Sequence, residues 1–182
     1  MRCVGFAAVA CDDARVLILG TLPSTKSLER GEYYAKKANK FWWIMGELVG
    51  ASPDKTYEDR LELLRKSGIA LWDVCASADR SGSLDSKILL PSVVANDFSS
   101  FLSANPHVKL ICFNGGPAEK LFRRKVLKSL PPSISSIRRE VLPSTSPAYA
   151  AMSPEKKLAR WRKCLGEFIE LKPPKAVAGE GP

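Results

Sequence analysis

The stretch VLILGTLPS, residues 16–24, decides the fold. Its first four residues are an unbroken apolar run, and Gly20 ends that run before a polar loop begins. Apolar runs without polar alternation are typical of strands buried on both faces, as in a parallel sheet. We predict three further strands at IALWDV (69–74), VKLICF (108–113) and RREVL (138–142).

Helical patterns separate these strands. FWWIMGELV (41–49) is predicted as a helix, and in YEDRLELLRKS (57–67) an apolar face of helical spacing is formed by Tyr57, Leu61 and Leu64. A basic helix is predicted to follow Asn114-Gly115-Gly116 and to run through about Lys128, and 131–136 is predicted as a loop. Ser153 and Pro154 predict the start of a final helix that runs to about residue 171.

Strands that alternate with helices predict an α/β protein, a three-layer α/β/α sandwich with a central four-stranded parallel sheet. The length of 182 residues fits one domain, which we place at 1–171. Residues 172–182 are rich in Pro, Gly and Ala and are expected to form a disordered tail. Ligands of open parallel sheets bind beyond the carboxyl ends of the strands. The site is therefore predicted in 20–43, 73–87, 114–117 and 142–149.

Positive charge is concentrated in one part of the chain, which has a net charge of +9. Residues 120–163 hold twelve basic and two acidic residues. Such a segment is either a solvated basic face or a surface that neutralises phosphates, and charge alone leaves DNA, RNA and anionic lipid open.

No apolar run approaches the ~20 residues of a membrane span, and the amino-terminal residues make a poor secretory signal. We expect an intracellular monomer without a membrane partner, in the cytoplasm of a prokaryote or in the nucleus or an organelle of a eukaryote.

The five cysteines form no C-x-x-C pair, and His107 is the only histidine. This composition favours neither a disulfide framework nor a metal site, so we expect no metal and no cofactor. A hydrolase with Ser24 or Ser27 as nucleophile would need the distant His107 as its base, which disfavours that class.

Two loops at predicted strand ends carry the most specific motifs. The first, GTLPSTKSLERGEYYAKKANKFWW (20–43), has neither the Gly-Lys-Ser/Thr of a P-loop nor the G-x-G-x-x-G of a Rossmann loop. The second, LPSTSPA (142–148), is a proline-framed run of small hydroxyl residues. Together, over about residues 13–170, these motifs resemble the uracil-DNA glycosylase superfamily. GIALWDV and GSLDSKI fit its hypoxanthine-DNA glycosylase branch, also called family 6, most closely.

The resemblance implies a catalytic role for Asn39. Better-known branches have Asp or Asn at the position of Leu22, and His or Asn at the position of Leu142. The hypoxanthine branch instead looks to the Asn before the Phe-Trp pair, which is Asn39 here. Its carbonyl oxygen would accept a hydrogen bond from the attacking water. Without the resemblance, Asn39 is equally an N-cap of the helix that follows, and both roles can coexist.

The resemblance also implies how a base and its DNA strand are held. Phe41 would stack on the flipped base, and Asp73 would accept the N1–H of hypoxanthine. The remaining residues expected around the base are Gly20, Thr21, Pro23, Ser24 and Tyr34. The residues expected to contact DNA are Asn114, Arg123, Arg124, Ser144, Thr145 and Ser146.

The function implied is that of a monofunctional DNA glycosylase in base excision repair, which removes deaminated bases, chiefly hypoxanthine, by hydrolysis. No lysine stands out as a Schiff-base nucleophile, so strand cleavage is not expected. Two alternatives remain: uracil or xanthine as the main substrate, or a catalytically weak nucleic-acid binding module of the same fold.

Overall fold

The computed structural model describes residues 1–174. Its strands are β1 Arg2–Val4, β2 Val16–Gly20, β3 Ile69–Asp73, β4 Cys75–Asp79, β5 Val94–Ala95, β6 Leu110–Asn114 and β7 Arg138–Leu142. Its α-helices are α1 Thr25–Arg30, α2 Phe41–Val49, α3 Tyr57–Lys66, α4 Phe98–Ala104, α5 Gly116–Lys125, α6 Pro132–Ser135 and α7 Pro154–Leu165.

A four-stranded parallel sheet with the order β3-β2-β6-β7 forms the centre of the molecule. All four strands predicted from the sequence are present in it. Because β2 lies between β3 and β6, both of its edges are hydrogen-bonded to a parallel neighbour. The carboxyl ends of the four strands therefore meet at one edge of the sheet.

Alternate residues of β2 point into two separate cores. Val16 and Ile18 pack against α2, α3 and α7 on one face, whereas Leu17 and Leu19 pack against α4 and α5 on the other. All four side chains are fully buried. The result is the predicted three-layer α/β/α sandwich.

A second, antiparallel sheet with the order β1-β4-β5 was not predicted. Its edge strands are three and two residues long, too short to give a hydrophobic period. Helices α1 and α4 were also missed. The prediction of a loop at 131–136 was wrong, because Pro132–Ser135 forms the short helix α6 with a proline at its first turn.

Two helix ends also differ from the prediction. Helix α5 ends at Lys125 and is followed by a separate 3-10 turn, Leu127–Ser129, and α7 ends at Leu165. The predicted tail lies outside the residues that the structure describes, except for 172–174. Of these, Lys172 donates its main-chain N–H to Leu48 O at 2.8 Å. Within residues 1–174, no helix is long and apolar enough to cross a bilayer.

Candidate active site

A pocket of about 1000 Å³ lies at the carboxyl edge of the parallel sheet. Its lining comes from the four predicted segments and extends them only by Val141, Met152 and Arg160. The predicted site residues that line it are Gly20, Thr21, Pro23, Ser24, Tyr34, Asn39, Asp73, Asn114, Ser144, Thr145 and Ser146. The topology thus brings together eleven of the fourteen predicted site residues, with Phe41, Arg123 and Arg124 left out.

Arg80 holds the loop that follows β2 in place. Its side chain is only 2% exposed, and its guanidinium donates hydrogen bonds to the carbonyl oxygens of Leu22, Pro23 and Gly82. Three carbonyl acceptors satisfy this buried cation, which forms no ion pair within the described part of the chain. Arg80 therefore ties the pocket wall at Leu22 and Pro23 to the loop at Gly82, and no sequence pattern indicated this role.

Asp73 is a buried carboxyl group without a partner. The residue is 4% exposed, and no group among residues 1–174 donates a hydrogen bond to its Oδ2. Burial, and secondarily the charge of Asp85, raise the pKa of Asp73 to about 7, while Arg80 opposes this shift. An acid with this pKa is half protonated at pH 7, and its protonated form can both donate and accept a hydrogen bond.

Gly20 is required where Asp73 and Tyr34 converge. A Cβ at Gly20 would collide with Asp73 Oδ1 and would lie 3.2 Å from the Tyr34 hydroxyl. That hydroxyl is buried and has no hydrogen-bond partner in residues 1–174. Burial, and then the charge of Asp73, raise the pKa of Tyr34 well above its ordinary value. Two unpartnered polar groups therefore meet at the end of β2.

Phe41 lies behind Tyr34 instead of facing the pocket. Phe41 is fully buried in the core, and the ring of Tyr34 stacks on it with a centroid separation of 4.0 Å. Of these two residues, only Tyr34 lines the pocket, as do Tyr33 and Tyr149. The structure thus differs from the expected arrangement, because the ring of Phe41 is not accessible from the pocket. Tyr34 also has a φ of 54°, in the left-handed region that non-glycine residues rarely adopt.

Asn39 lines the pocket, but it is not the N-cap of α2, because that position is held by Lys40. Its Oδ1 accepts a hydrogen bond from Phe41 N at 2.9 Å, just before the helix. Its amide nitrogen has no protein partner in the part of the chain described. One lone pair of the carbonyl oxygen is therefore used by this hydrogen bond, and the rest of the amide remains available to a ligand.

Asn114 and Thr145 are bound to each other across the pocket floor. Asn114 Nδ2 donates to Thr145 Oγ1, and Thr145 N donates to Asn114 Oδ1, each at 2.8 Å. Thr145 is fully buried, so its hydroxyl is not placed to contact a phosphate as expected. Ser144 and Ser146 are half-buried and remain accessible to a ligand. The main-chain N–H of Lys40 donates to Thr145 O at 2.9 Å, which joins the two motif loops.

The basic residues at the pocket are not the predicted ones. Arg123 and Arg124 are exposed in the last turn of α5, whereas it is the first residue of that helix, Gly116, that lines the pocket. Lys36 and Arg160 line the pocket instead. The period of α7 alone does not show that Arg160 faces the site, because the direction of the helix depends on tertiary packing.

Asp85 is a carboxyl group in the pocket that was not among the predicted site residues. It lies in the GSLDSKI segment, inside the predicted range 73–87, and its Oδ1 accepts a hydrogen bond from Thr21 Oγ1. Burial raises the pKa of Asp85, while the Thr21 hydrogen bond and the charge of Arg80 lower it. A polar residue in a strand-end segment was the only signal for it. The described residues contain no His, Cys, Asp and Glu cluster that could hold a metal ion.

Known proteins share both the sequence and the architecture. A hypoxanthine DNA glycosylase of Methanosarcina acetivorans is 40% identical over 141 residues, 74% of this chain and 88% of that protein. A second, of Methanosarcina barkeri, is 36% identical over 116 residues, 63% of this chain and 72% of that protein.

A solved structure and a family model agree with these relatives. The solution NMR structure of a Methanosarcina acetivorans protein described as a uracil DNA glycosylase has a TM-score of 0.69 and 36% identity. It covers 90% of this chain and 98% of its own. The family model of the uracil DNA glycosylase superfamily matches residues 7–168. The chain therefore belongs to the uracil DNA glycosylase superfamily.

Proposed function

We propose that this protein is a monofunctional DNA glycosylase that excises deaminated bases, chiefly hypoxanthine, by hydrolysis of the N-glycosidic bond. The relatives named hypoxanthine DNA glycosylase support this substrate. The observation that carries the proposal is the meeting of Asp73, a buried and unpartnered carboxyl group, with the half-buried amide of Asn39 in one pocket.

The base enters this pocket by leaving the DNA stack. Extrusion costs a few kcal/mol and is easiest at a mispaired base. Asp73 then reads the edge of the base. A neutral carboxyl group accepts the N1–H of hypoxanthine with one oxygen and donates its proton to O6 with the other. Adenine has the opposite pattern at these two positions, and a neutral carboxyl group matches it when the proton is on the other oxygen, so Asp73 alone does not exclude adenine.

Asn39 orients the water that attacks C1′ of the sugar. Its amide has hydrogen-bonding capacity that the bond from Phe41 N leaves unused. A positioned group of this kind contributes about 10²–10⁴-fold to a rate. The transition state carries positive charge on the sugar and negative charge on the departing base, so groups that stabilise either charge accelerate the reaction.

The strand is held beside the pocket by small hydroxyls and by two cations. Ser144 and Ser146 are accessible in the second motif loop, and Lys36 and Arg160 line the same pocket. The N-terminus of α5 also opens there, and its partial positive charge favours an anionic group. Because one chain supplies all of these groups, we propose that the monomer is sufficient for base excision. We also propose that the protein acts inside the cell, where its DNA substrate is found.

An excision assay tests this function. Labelled duplexes that contain one hypoxanthine, uracil or xanthine are incubated with the protein, and abasic sites are then cleaved with alkali. We expect product chiefly from hypoxanthine, none without alkali, and no covalent adduct on borohydride treatment. Absence of product from all three bases would contradict the proposal. Tight binding without product would instead favour the alternative of a binding module.

A further inference from the structure

We infer that Asp85 is a second catalytic residue, a carboxylate that takes up the proton of the attacking water and stabilises the positive charge on the sugar. This inference rests on the proposed glycosylase function and assigns a base to it. It goes beyond the residues that the motifs indicated, because Asp85 lies outside both motif loops.

The pocket has few other groups that can act as a base. Leu22 and Leu142, at the ends of two central strands, are apolar and nearly buried. Asn39 is an amide, which orients a water molecule but does not accept its proton at neutral pH. Asp73 is engaged with the edge of the base in the proposed function, and its pKa of about 7 leaves it half protonated at pH 7. Among the ionisable residues that line the pocket, Asp85 is the remaining carboxyl group.

The position of Asp85 is fixed by a small network. Thr21 Oγ1 donates to its Oδ1, so one carboxylate oxygen is tied to the end of β2. The preceding loop is held by a hydrogen bond from Thr25 N to Ser83 Oγ at 3.1 Å and by the bond from Arg80 Nε to Gly82 O at 2.9 Å. The Oδ2 atom of Asp85 has no hydrogen-bond partner in residues 1–174. A fixed carboxylate with one oxygen unoccupied is suited to bind a water molecule.

Electrostatics separate the roles of the two carboxyl groups. Burial raises the pKa of Asp85, and the Thr21 hydroxyl and the nearby cation of Arg80 offset part of this shift because both favour its charged form. Asp73 has no hydrogen-bond donor, and the charge of Asp85 further disfavours its ionisation. The other titratable groups that feel Asp85 are Tyr34 and Cys75, whose pKa values are both raised, chiefly by burial. Two carboxyl groups with divergent environments are typical of a division between acid and base roles.

The reaction balances with water as the only co-reactant. The bond between C1′ and the base nitrogen breaks, and its electron pair leaves with the base. The water oxygen forms the new bond to C1′, and its surplus proton passes to Asp85. The departing base takes one proton from solvent, and Asp85 later releases its own, so the products are free base and an abasic sugar.

The substitution Asp85→Asn tests this role with little change in shape. An asparagine still accepts the Thr21 hydrogen bond but carries no negative charge. We expect the single-turnover excision rate to fall roughly 10²–10⁴-fold. DNA affinity should stay equal or increase, since a negative charge near the phosphates is lost, and the urea unfolding midpoint should be little changed. Asp79→Asn is the matched control, because Asp79 is an exposed acid outside the pocket, and its rate should equal that of the wild type.

A second variant tests charge against structure. Thr21→Val keeps the Asp85 charge and removes the hydroxyl that stabilises it, so the acidic limb of the rate–pH profile should move to higher pH. If the wild type excises hypoxanthine and Asp85→Asn does so at the same rate, the role of Asp85 is overturned but the proposed function is not. A rate loss explained by weaker DNA binding or by unfolding would also overturn it. A wild-type protein that excises no base would overturn the proposed function and this inference with it.

Discussion

The rings of Tyr34 and Phe41 lie nearly parallel, with centroids 4.0 Å apart and an interplanar angle of 21°, and only Tyr34 faces the pocket. Phe41 supports this ring from the core and also packs edge-on against Trp42 and Trp161. A base that enters the pocket therefore meets Tyr34 first, and Phe41 acts through it.

Substitution of the two aromatic residues should separate binding from stability. Tyr34→Ala removes the ring that faces the base, so we expect roughly 10- to 100-fold slower excision, since base stacking is worth about 1–3 kcal/mol. Phe41→Ala removes a fully buried ring and should lower the free energy of unfolding by about 3–5 kcal/mol. Urea unfolding and single-turnover assays measure the two effects. Tyr34→Phe is the control that keeps the ring and removes only the unpartnered hydroxyl. The arrangement would be contradicted if Tyr34→Ala excised hypoxanthine at the wild-type rate.

Asn39→Ala should abolish most of the excision while DNA affinity is nearly retained. We expect a loss of about 10²–10⁴-fold in single-turnover rate, because a positioned water loses its partner. The variant should also lose about 1 kcal/mol of stability with the hydrogen bond to Phe41 N. Asn39→Asp keeps that acceptor and should recover the stability. This variant separates the effect of the hydrogen bond on stability from the effect of the amide on the excision rate. An Asn39→Ala rate within tenfold of the wild type would refute the catalytic role.

The raised pKa of Asp73 predicts how stability depends on pH. The folded protein holds this proton up to about pH 7, whereas the unfolded chain releases it near the ordinary value of about 3.8. The folded state therefore binds more protons between these values, and the free energy of unfolding must fall as pH rises through this window. The fall attributable to Asp73 is roughly 4 kcal/mol.

Urea unfolding of the wild type and of Asp73→Asn between pH 4 and 8 measures this contribution, because other acids contribute equally to both proteins. A difference that stays constant across the range would mean that Asp73 is already charged in the folded protein.

The two groups of arginines should differ in their effect on DNA binding. Arg160 lines the pocket, whereas Arg123 and Arg124 lie in the last turn of α5. Each phosphate contact contributes about 0.9 to the slope of log affinity against log salt. We expect Arg160→Ala to reduce this slope by about one contact, and Arg124→Ala to reduce it less. Equal reductions would mean that DNA also covers the far end of α5.

The central sheet and the pocket segments could be predicted because their signal is local. The apolar run at 16–19 and the loops at 20–43 and 142–149 show both the buried strands and the edge where they end. The sequence could not predict how deeply each side chain lies below the pocket surface. Which of Tyr34 and Phe41 is outermost depends on a backbone with positive φ at Tyr34, and no periodicity shows that. Phe41, which was predicted to stack on the base, is therefore buried behind Tyr34.

Sequence patterns also could not identify residues that act through contacts with segments far away in the chain. Arg80 is a buried cation whose acceptors are three main-chain carbonyls, and carbonyls have no side-chain signature. Arg123 and Arg124 were predicted to contact DNA because basic residues cluster around them. The density of charge along a sequence does not show which end of a helix faces the pocket. The direction of α5 places its amino-terminal end at the pocket and its basic end away from it.

The hydrogen bond from Lys40 N to Thr145 O has a consequence for biosynthesis. A nascent chain that has emerged through β6 already contains Asn39, Asp73 and Asp85 but lacks the strand and loop that close the pocket. Parallel strands pair only after distant segments of the chain meet, which makes their assembly slow. These three pocket residues are therefore translated well before the last wall of the pocket exists. A partly synthesised chain therefore lacks a complete pocket. We expect a truncated protein that ends before β7 to excise no base.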